Sequence, residues 1–221
     1  MNSNLAFVFP GQGSQKIGML AELAAANPLV EETFKEASEV LGYDAWKLIQ
    51  EGEQEDINLT ERTQPLLLTS SVAIWRLWQQ QGGPQPAAMA GHSLGEWSAL
   101  VCAGVVKFAD AVEIVRARGA FMQQAVPVGV GAMAAIMGIE DQIVIDACAE
   151  AAEDQIATAV NFNAPGQVVI AGDAAAVARA VDICKKAGAK RAVELPVSAP
   201  FHTSLMRPAA DNLAELVAQK E

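Results

Sequence analysis

One short motif in the sequence has residue types and spacing that could support nucleophilic catalysis. Residues 91–95 read Gly-His-Ser-Leu-Gly, a G-x-S-x-G pentapeptide. A short apolar run at residues 87–90 predicts a buried strand before it, and residues 94–101 predict a helix after it. On such a turn the serine hydroxyl lies at a helix N-terminus, where N–H groups and the helix dipole favour negative charge. We interpret Ser93 as a nucleophile; the alternative is a serine that caps a helix after a glycine turn.

A nucleophilic serine needs a base, and the chain has two histidines. His92 adjoins the nucleophile on the same turn, where neighbouring side chains diverge, so it is poorly placed to accept the Ser93 proton. His202 follows an apolar, strand-like segment far downstream, and a serine that precedes its histidine along the chain is typical of hydrolase-like folds. The sequence therefore favours His202 as the general base, with a structural loop histidine as the alternative.

The helix predicted at residues 109–125 carries an arginine within its apolar face. At about 100° per residue, Arg118 lies at the centre of a stripe of small and apolar residues, whereas Arg116 points away from it. That stripe comprises Ala111, Ile114, Val115, Phe121, Met122 and Ala125. A buried guanidinium is costly unless a carboxylate meets it, and no acid of this helix shares its face. The partner of Arg118 is therefore an acid elsewhere in the fold or a ligand carboxylate, which a guanidinium binds through two hydrogen bonds.

The composition describes a folded, acidic protein. The chain has 221 residues, of which 52% are hydrophobic and 19% charged, and its formal net charge is −11 at pH 7. These values are typical of a packed globular protein and argue against a nucleic-acid partner. No apolar run reaches the length of about 18 residues expected for a membrane span, and no basic segment suggests a signal peptide. Three scattered cysteines suit a reducing compartment, so we expect a cytoplasmic protein. We also expect that it is not bound to a membrane and that it is a monomer.

The first half of the chain alternates a strand with helices. Residues 5–9 are expected to form a short apolar strand, and a helix capped at Asn27 is expected to run to Gly42. The acidic stretch at residues 51–63 is expected to be a surface connection, followed by a helix at residues 65–81. Together with the strand before the serine, this pattern predicts a parallel sheet covered by helices.

The order of elements changes after Pro127. Strands are expected at residues 131–137, 156–161, 167–171 and 191–197, and helices at residues 141–152 and 174–187. This β-α-β-β-α-β order is that of a ferredoxin-like unit. We therefore predict an α/β fold in which an α/β-hydrolase-like domain with a parallel sheet, residues 1–127 and 198–221, contains an inserted ferredoxin-like subdomain at residues 128–197.

A glycine-rich loop follows the first strand at residues 10–15, with the sequence Pro-Gly-Gln-Gly-Ser-Gln. It lacks the third glycine of dinucleotide-binding loops, because Lys16 stands at that position, and it has no Walker-type ending. The sequence therefore predicts neither a cofactor nor a metal site. We interpret the loop as one half of an oxyanion hole that faces Ser93, with a plain glycine turn as the alternative.

These motifs together resemble those of the malonyl-CoA:acyl-carrier-protein transacylases of bacterial fatty-acid synthesis. The similarity runs in order over the whole chain, through residues 9–15, the nucleophile motif at 91–96, Arg118-Gly119, and Pro-Phe-His at 200–202. The resemblance implies that malonyl-CoA and acyl carrier protein are the partners of the chain. It also implies that Ser93 is acylated, that His202 is the base, and that Arg118 holds the malonyl carboxylate.

The same resemblance assigns further residues. It implies an oxyanion hole formed by the N–H groups of Gln12 and Leu94, and it places Thr63-Gln64 and Asn163 near the pocket. Members of the family continue well past residue 221, so we expect this sequence to lack a C-terminal segment. By resemblance, that segment supplies further strands of the parallel sheet and a glutamine carbonyl that orients the histidine.

The densest basic cluster of this acidic chain lies near residue 190 and consists of Lys185, Lys186, Lys190 and Arg191. The dipole of a helix that ends before Gly188 explains the first two lysines, but not Lys190 and Arg191. Carrier proteins of the pathway are acidic by family resemblance. We therefore interpret Lys190 and Arg191 as a docking site for the carrier protein.

Two other functions stay open from the sequence. A serine hydrolase or thioesterase would share Ser93 and His202 but needs no buried cation for its acyl group, so Arg118 favours the transferase. An inactive acyl-binding or scaffold module is supported only by the expectation that a C-terminal segment is missing.

Overall fold

The computed structural model describes residues 2–197 and 199–220. The chain divides into two compact units, Met1–Ala120 with Leu216–Glu221, and Phe121–Glu215. One unit holds a parallel sheet and the other an antiparallel sheet, so the architecture is mixed α/β. The predicted domain limits at residues 1, 198 and 221 lie outside the described residues.

The first unit consists of a two-stranded parallel sheet and the helices around it. Its strands are β1 (Asn2–Phe9) and β2 (Pro86–Gly91). Its helices are α1 (Ala21–Ala26), α2 (Leu29–Leu41), α3 (Ala45–Glu51), α4 (Gln54–Ile57), α5 (Thr60–Gln80), α6 (Gly95–Cys102) and the first part of α7 (Phe108–Gln124). The predicted strand before Ser93 and the helix after it are both present. The expectation that this strand is buried is wrong, because Ala87, Ala88 and Ala90 are exposed.

The second unit is built on a four-stranded antiparallel sheet. Its elements are β3 (Gly131–Met137), α8 (Asp141–Ala152), β4 (Ala157–Ala164), β5 (Gln167–Asp173), α9 (Ala174–Lys186), β6 (Arg191–Glu194), a 3₁₀ helix (Ser204–Met206) and α10 (Arg207–Val217), which continues into the first unit. The strands lie in the order β4-β5-β3-β6. The predicted β-α-β-β-α-β order is confirmed, and β3 and α8 have the predicted bounds.

Aromatic packing against β1 organises the core of the first unit. The Phe7 ring meets the rings of Trp75 and Trp78 on α5 edge-on, with centroids 5.3 Å apart in both pairs. Phe9, two residues further along the strand, is also buried. Because side chains of a strand alternate between its faces, this arrangement places Val8 on the opposite face of β1.

That opposite face of the small sheet is uncovered in the described part of the chain. Val8 is 79% exposed, and Ala88 and Ala90 of β2 are exposed as well. A cleft of about 590 Å³ runs along β2 and α6. Parallel sheets usually have both faces covered, so this apolar face is unusual for a strand pair of this kind.

The expectation that residues 51–63 form a surface connection is wrong. Helix α4 lies within this stretch, and α5 begins at Thr60 rather than at Pro65. Ile57 and Thr63 are fully buried, and the Thr63 hydroxyl donates a hydrogen bond of 2.6 Å to the Ile57 carbonyl. Burial against the core outweighs the polar composition and the proline, which are weak local signals. The sequence patterns likewise do not predict the short helices α1 and α3.

A single glycine lets α7 approach the start of α5 closely. Gly119 is buried, and a Cβ atom there would overlap the Thr60 carbonyl oxygen and lie 2.7 Å from the Glu61 Cα atom. Both neighbours belong to the α5 backbone, so neither can rotate aside. The absence of a side chain at position 119 therefore sets the distance between the two helices.

We expect Gly119→Ala to lower the melting temperature by about 2–4 °C, because overpacking costs about 1–3 kcal/mol and outweighs the helix propensity that alanine gains. Ala109→Ser is the matched control, since it adds one atom to the same helix at an exposed position. Thermal unfolding followed by circular dichroism measures both variants. A rise in the melting temperature for Gly119→Ala would show that α7 does not need this close approach.

Candidate active site

Ser93 lies at the apex of a sharp turn between β2 and α6. Its φ is 51°, a left-handed conformation that costs a non-glycine residue about 1–3 kcal/mol and that clusters at functional sites. A Cβ atom at Gly91 would overlap the backbone of Gly95, and one at Gly95 would overlap the Phe9 carbonyl. The two glycines of the motif are therefore required by close backbone contacts, as the sequence predicts.

The loop after β1 lies directly against this turn. The His92 N–H donates a hydrogen bond of 3.0 Å to the Phe9 carbonyl, and a Cβ atom at Gly11 would lie 2.6 Å from the His92 carbonyl oxygen. The contact brings Gln12 close to the turn that carries Ser93. In the part of the chain that the structure describes, the N–H groups of Gln12 and Leu94 donate no hydrogen bond. Both are thus available to a ligand oxygen.

Arg118 of α7 points at the Ser93 hydroxyl. Its Nη2 atom donates a hydrogen bond of 3.2 Å to the Ser93 hydroxyl oxygen, and its Nη1 atom donates one of 2.7 Å to the Gln64 side-chain oxygen. Gln64 lies on α5 and is 1% exposed, so its amide is a fixed acceptor. Close packing at Gly119 brings α7 to this part of α5. The structure therefore places Ser93, Arg118 and Gln64 together.

The charge of Arg118 is not neutralised by a direct ion pair. No carboxylate of residues 2–197 and 199–220 lies within salt-bridge distance of its guanidinium. Burial lowers the pKa of Arg118 below its ordinary value, and the negative charge of Glu96 opposes that shift. An arginine nevertheless stays protonated in proteins. Among the described residues, no acid pairs with Arg118, so of the two partners left open by the sequence a ligand carboxylate is the one that we take forward.

A polar hydrogen bond also links the glycine-rich loop to α5. The Gln12 side-chain nitrogen donates to the Thr60 hydroxyl over 3.4 Å. Thr63, which the sequence groups with Gln64, is fully buried and donates to the Ile57 and Leu59 carbonyls, so it belongs to the start of α5. Of this pair, only Gln64 contacts Arg118.

No other side chain of the described residues offers an obvious nucleophile or metal site. Burial raises the pKa of the Cys102 and Cys148 thiols to about 12 and also raises that of Cys184, so all three are protonated at neutral pH. The described residues contain no cluster of three or more His, Cys, Asp or Glu that could hold a metal ion. None of their helices is both long enough and apolar enough to cross a membrane.

The remaining predicted site residues belong to the second unit. His202 is exposed and adopts a φ of 64° in the turn before the 3₁₀ helix. Asn163 is exposed on β4. Lys190 and Arg191 are exposed just after α9 and at the start of β6.

Sequence reasoning did not predict the contacts that hold these groups in place. Gln64 is named by the resemblance as lying near the pocket, but its bond to Arg118 depends on two distant helices. The role of Gly119 could have been found from the Arg-Gly pair on a buried helix face, since glycine is unfavourable inside a helix without a packing reason. Thr203 beside His202 carries the usual signal of a hydroxyl residue that closes a turn.

A family model and several known proteins each match nearly the whole chain. The family described as "Acyl transferase domain" matches residues 6–221. The malonyl CoA-acyl carrier protein transacylase of Escherichia coli (strain K12) is 64% identical over 217 residues, which are 98% of this chain and 70% of that protein. The protein of the same name from Bacillus subtilis is 47% identical over 216 residues, 97% of this chain and 68% of that protein.

Solved structures of similarly named proteins also match the chain. An acyl carrier protein S-malonyltransferase from Vibrio cholerae is 62% identical and has a TM-score of 0.96. The match covers 98% of this chain and 71% of that protein. The chain therefore spans about 70% of the length of the proteins it matches. With identity of this level over nearly its whole length, the chain belongs to the malonyl-CoA–acyl carrier protein transacylase family of acyl transferases.

Proposed function

We propose that this protein transfers a malonyl group from coenzyme A to the phosphopantetheine thiol of acyl carrier protein, through an ester on Ser93, in fatty-acid biosynthesis. The observation that carries the proposal is the hydrogen bond of 3.2 Å between Arg118 and the Ser93 hydroxyl, in a place where no carboxylate of residues 2–197 and 199–220 forms a salt bridge with the arginine. A permanent cation beside a nucleophile suits an acyl group that ends in a free carboxylate. The names of the relatives describe the same transfer.

In the first half-reaction the Ser93 oxygen attacks the thioester carbonyl of malonyl-CoA. His202 accepts the hydroxyl proton and returns it to the sulfur of coenzyme A as the carbon–sulfur bond breaks. The tetrahedral intermediate carries a negative oxygen. The N–H groups of Gln12 and Leu94, together with the start of α6, are proposed to stabilise that oxygen.

In the second half-reaction the thiol of the carrier protein attacks the malonyl-Ser93 ester. His202 accepts the thiol proton and returns it to the Ser93 oxygen, which leaves the enzyme ready for another cycle. Throughout, Arg118 binds the free carboxylate of the malonyl group, and Gln64 holds the guanidinium in place through its bond of 2.7 Å. Asn163 of β4 is proposed as a further substrate-binding residue.

Lys190 and Arg191, which follow α9, support a docking site for an acidic carrier protein. The side-chain stem of Lys190 lies over the turn after β3, where a Cβ atom at Gly138 would approach its Cγ atom to 2.6 Å. Its ammonium group and the Arg191 guanidinium are exposed, and neither forms an ion pair within the described chain. In a protein of net charge −11, this patch would steer an acidic partner to one surface. A related malonyl-transacylase, 60% identical with a TM-score of 0.96, has been solved with a type II PKS acyl-carrier protein.

We assign the two parts of the chain as in the sequence-based prediction. Residues 1–127 and 198–221 are proposed to form an α/β-hydrolase-like catalytic domain, and residues 128–197 a ferredoxin-like subdomain. The strand–turn–helix at Ser93 and the sheet order β4-β5-β3-β6 support these assignments. We also propose a cytoplasmic monomer without a nucleic-acid partner, supported by the free buried thiols and the negative net charge.

Ser93→Ala should abolish a mass increase of one malonyl group when the protein is mixed with malonyl-CoA and analysed intact. Ser98→Ala is a matched control: it removes a buried hydroxyl on the neighbouring helix that has no hydrogen-bond partner among the described residues. That control should keep the adduct. Steady-state kinetics should follow a ping-pong rate law. An adduct that persists in Ser93→Ala, or intersecting kinetics of a ternary complex, would contradict the ester mechanism.

Arg118→Ala should lower malonyl transfer by about 30-fold or more, because breaking one side of a desolvated charge pair costs about 2–5 kcal/mol. Acetyl transfer should survive or rise, since acetyl has no carboxylate. Arg116→Ala is the control on the same helix, where the side chain is exposed and bonds to the Leu41 carbonyl. Rates with malonyl-CoA and acetyl-CoA are compared for each folded variant. An equal loss with both substrates would make Arg118 a structural residue.

Reversal of charge in the double variant Lys190→Glu/Arg191→Glu should slow malonyl transfer to the carrier protein by about tenfold at low salt, and less at high salt. Transfer to free pantetheine should be unchanged. The control double variant, Lys35→Glu/Lys107→Glu, makes the same charge change at exposed positions of the first unit. If transfer to pantetheine falls equally, or the control is slowed as much, the patch is not the docking site.

A further inference from the structure

The backbone at His202 is held in a conformation that a histidine rarely adopts. Its φ is 64°, whereas the residues around it return to ordinary backbone conformations. Such a conformation persists only where the surrounding structure determines it. Because the backbone at this residue sets the direction of the imidazole, whatever stabilises the turn also aims the side chain.

The side chain of Thr203 closes this turn on both sides. Its hydroxyl donates a hydrogen bond of 2.7 Å to the Pro200 carbonyl, which lies before His202, and accepts one of 3.3 Å from the Leu205 N–H, which lies after it. Thr203 is 9% exposed, whereas His202 beside it is exposed. One buried hydroxyl therefore connects the two ends of the segment that carries the histidine.

The two ends are also anchored in the core of the second unit. Phe201 and Met206 are both 8% exposed and belong to the same hydrophobic cluster. Pro200 packs on the first residue of β3, where a Cβ atom at Gly131 would lie 2.7 Å from the proline Cγ atom. The Thr203 hydroxyl thus connects Pro200 and Leu205, which adjoin these anchored residues, and the exposed histidine lies between them.

We propose that Thr203 is a positioning residue, which holds the left-handed turn at His202 and so aims the imidazole that acts as the base. This inference rests on the proposed role of His202. It predicts an effect on the orientation and rate of the base that is separate from any effect on substrate binding or on the stability of the fold.

Three variants separate positioning from stability. Thr203→Val keeps the shape of the side chain and removes both hydrogen bonds, whereas Thr203→Ser keeps the hydroxyl. Thr69→Val is the matched control, because the Thr69 hydroxyl also donates a buried bond of 2.7 Å to a proline carbonyl, within α5. Both valine variants should lose about 2–4 °C of melting temperature, because each leaves buried backbone groups without a hydroxyl partner.

The surroundings of the His202 ring can be followed by NMR, because the chain has only two histidines. In ¹H–¹⁵N spectra of the imidazole rings, assigned with His92→Gln, the His202 signals should move towards those of free histidine in Thr203→Val. They should stay unchanged in Thr203→Ser and Thr69→Val. The His92 signals should not move in any variant. Unchanged His202 signals in Thr203→Val would overturn the proposal.

The kinetic consequence is a lower kcat with little change in KM. Transfer by Thr203→Val should have a kcat about 10–100-fold below that of the unmodified chain and a KM for malonyl-CoA within about twofold, with recovery in Thr203→Ser. A loss through KM alone, or a loss that Thr203→Ser does not restore, would contradict the inference. If Thr203→Val does not fold, Gly131→Ala tests the same turn through Pro200, and an unchanged kcat there would overturn the proposal.

Parallel measurements on Ser93→Ala and His202→Ala separate a failure of the proposed function from a failure of the proposed role of Thr203. Full transfer by either alanine variant would reject the proposed function itself. Loss of transfer in both, together with normal His202 signals and kcat in Thr203→Val, would reject only the role of Thr203.

Discussion

The hydrogen bonds of the Arg118 guanidinium are the interactions on which the candidate site depends. A cation removed from water is stable only if other groups replace its hydration, and here an amide and a hydroxyl do so without neutralising the charge. The remaining attraction is available to an anionic ligand. Because the guanidinium also touches the Ser93 oxygen, a bound carboxylate and the nucleophile would be held within one small volume.

Close backbone packing keeps these side chains near one another. Gly91 and Gly95 let the turn at Ser93 cross the end of β1, and Gly119 lets α7 approach α5. In each place a Cβ atom would meet backbone atoms, which cannot move independently. The distances between the functional groups are therefore determined by main-chain contacts, and not by flexible side chains that could adjust.

Both proposed acid–base partners occupy left-handed backbone. Ser93 and His202 have φ values of 51° and 64°. At Ser93 the turn is supported by the first hydrogen bonds of α6, whereas at His202 it is supported by the hydroxyl of Thr203. Strain of this kind is maintained by the rest of the structure, and it directs a side chain away from its own neighbours. The proposed nucleophile and the proposed base thus share the same kind of backbone conformation.

The sequence by itself determined the features that depend on local spacing. The turn at Ser93 follows from two glycines and the apolar runs beside them, and the direction of Arg118 follows from the helical period. The order of strands and helices from residue 131 to 194 is also visible in the pattern of apolar residues, with β3 and α8 at their predicted bounds.

Only the tertiary structure decided what these residues contact. Arg118 bonds to residues 54 and 25 positions away in the chain, and no local pattern predicts which distant side chains meet a helix face. The start of α5 at Thr60 could not be predicted from the sequence for the same reason. Burial of Ile57 and Thr63 outweighs the polar composition of the segment. Local spacing determines where a side chain points, whereas packing between distant elements determines what it touches, since that depends on the approach of whole helices and strands.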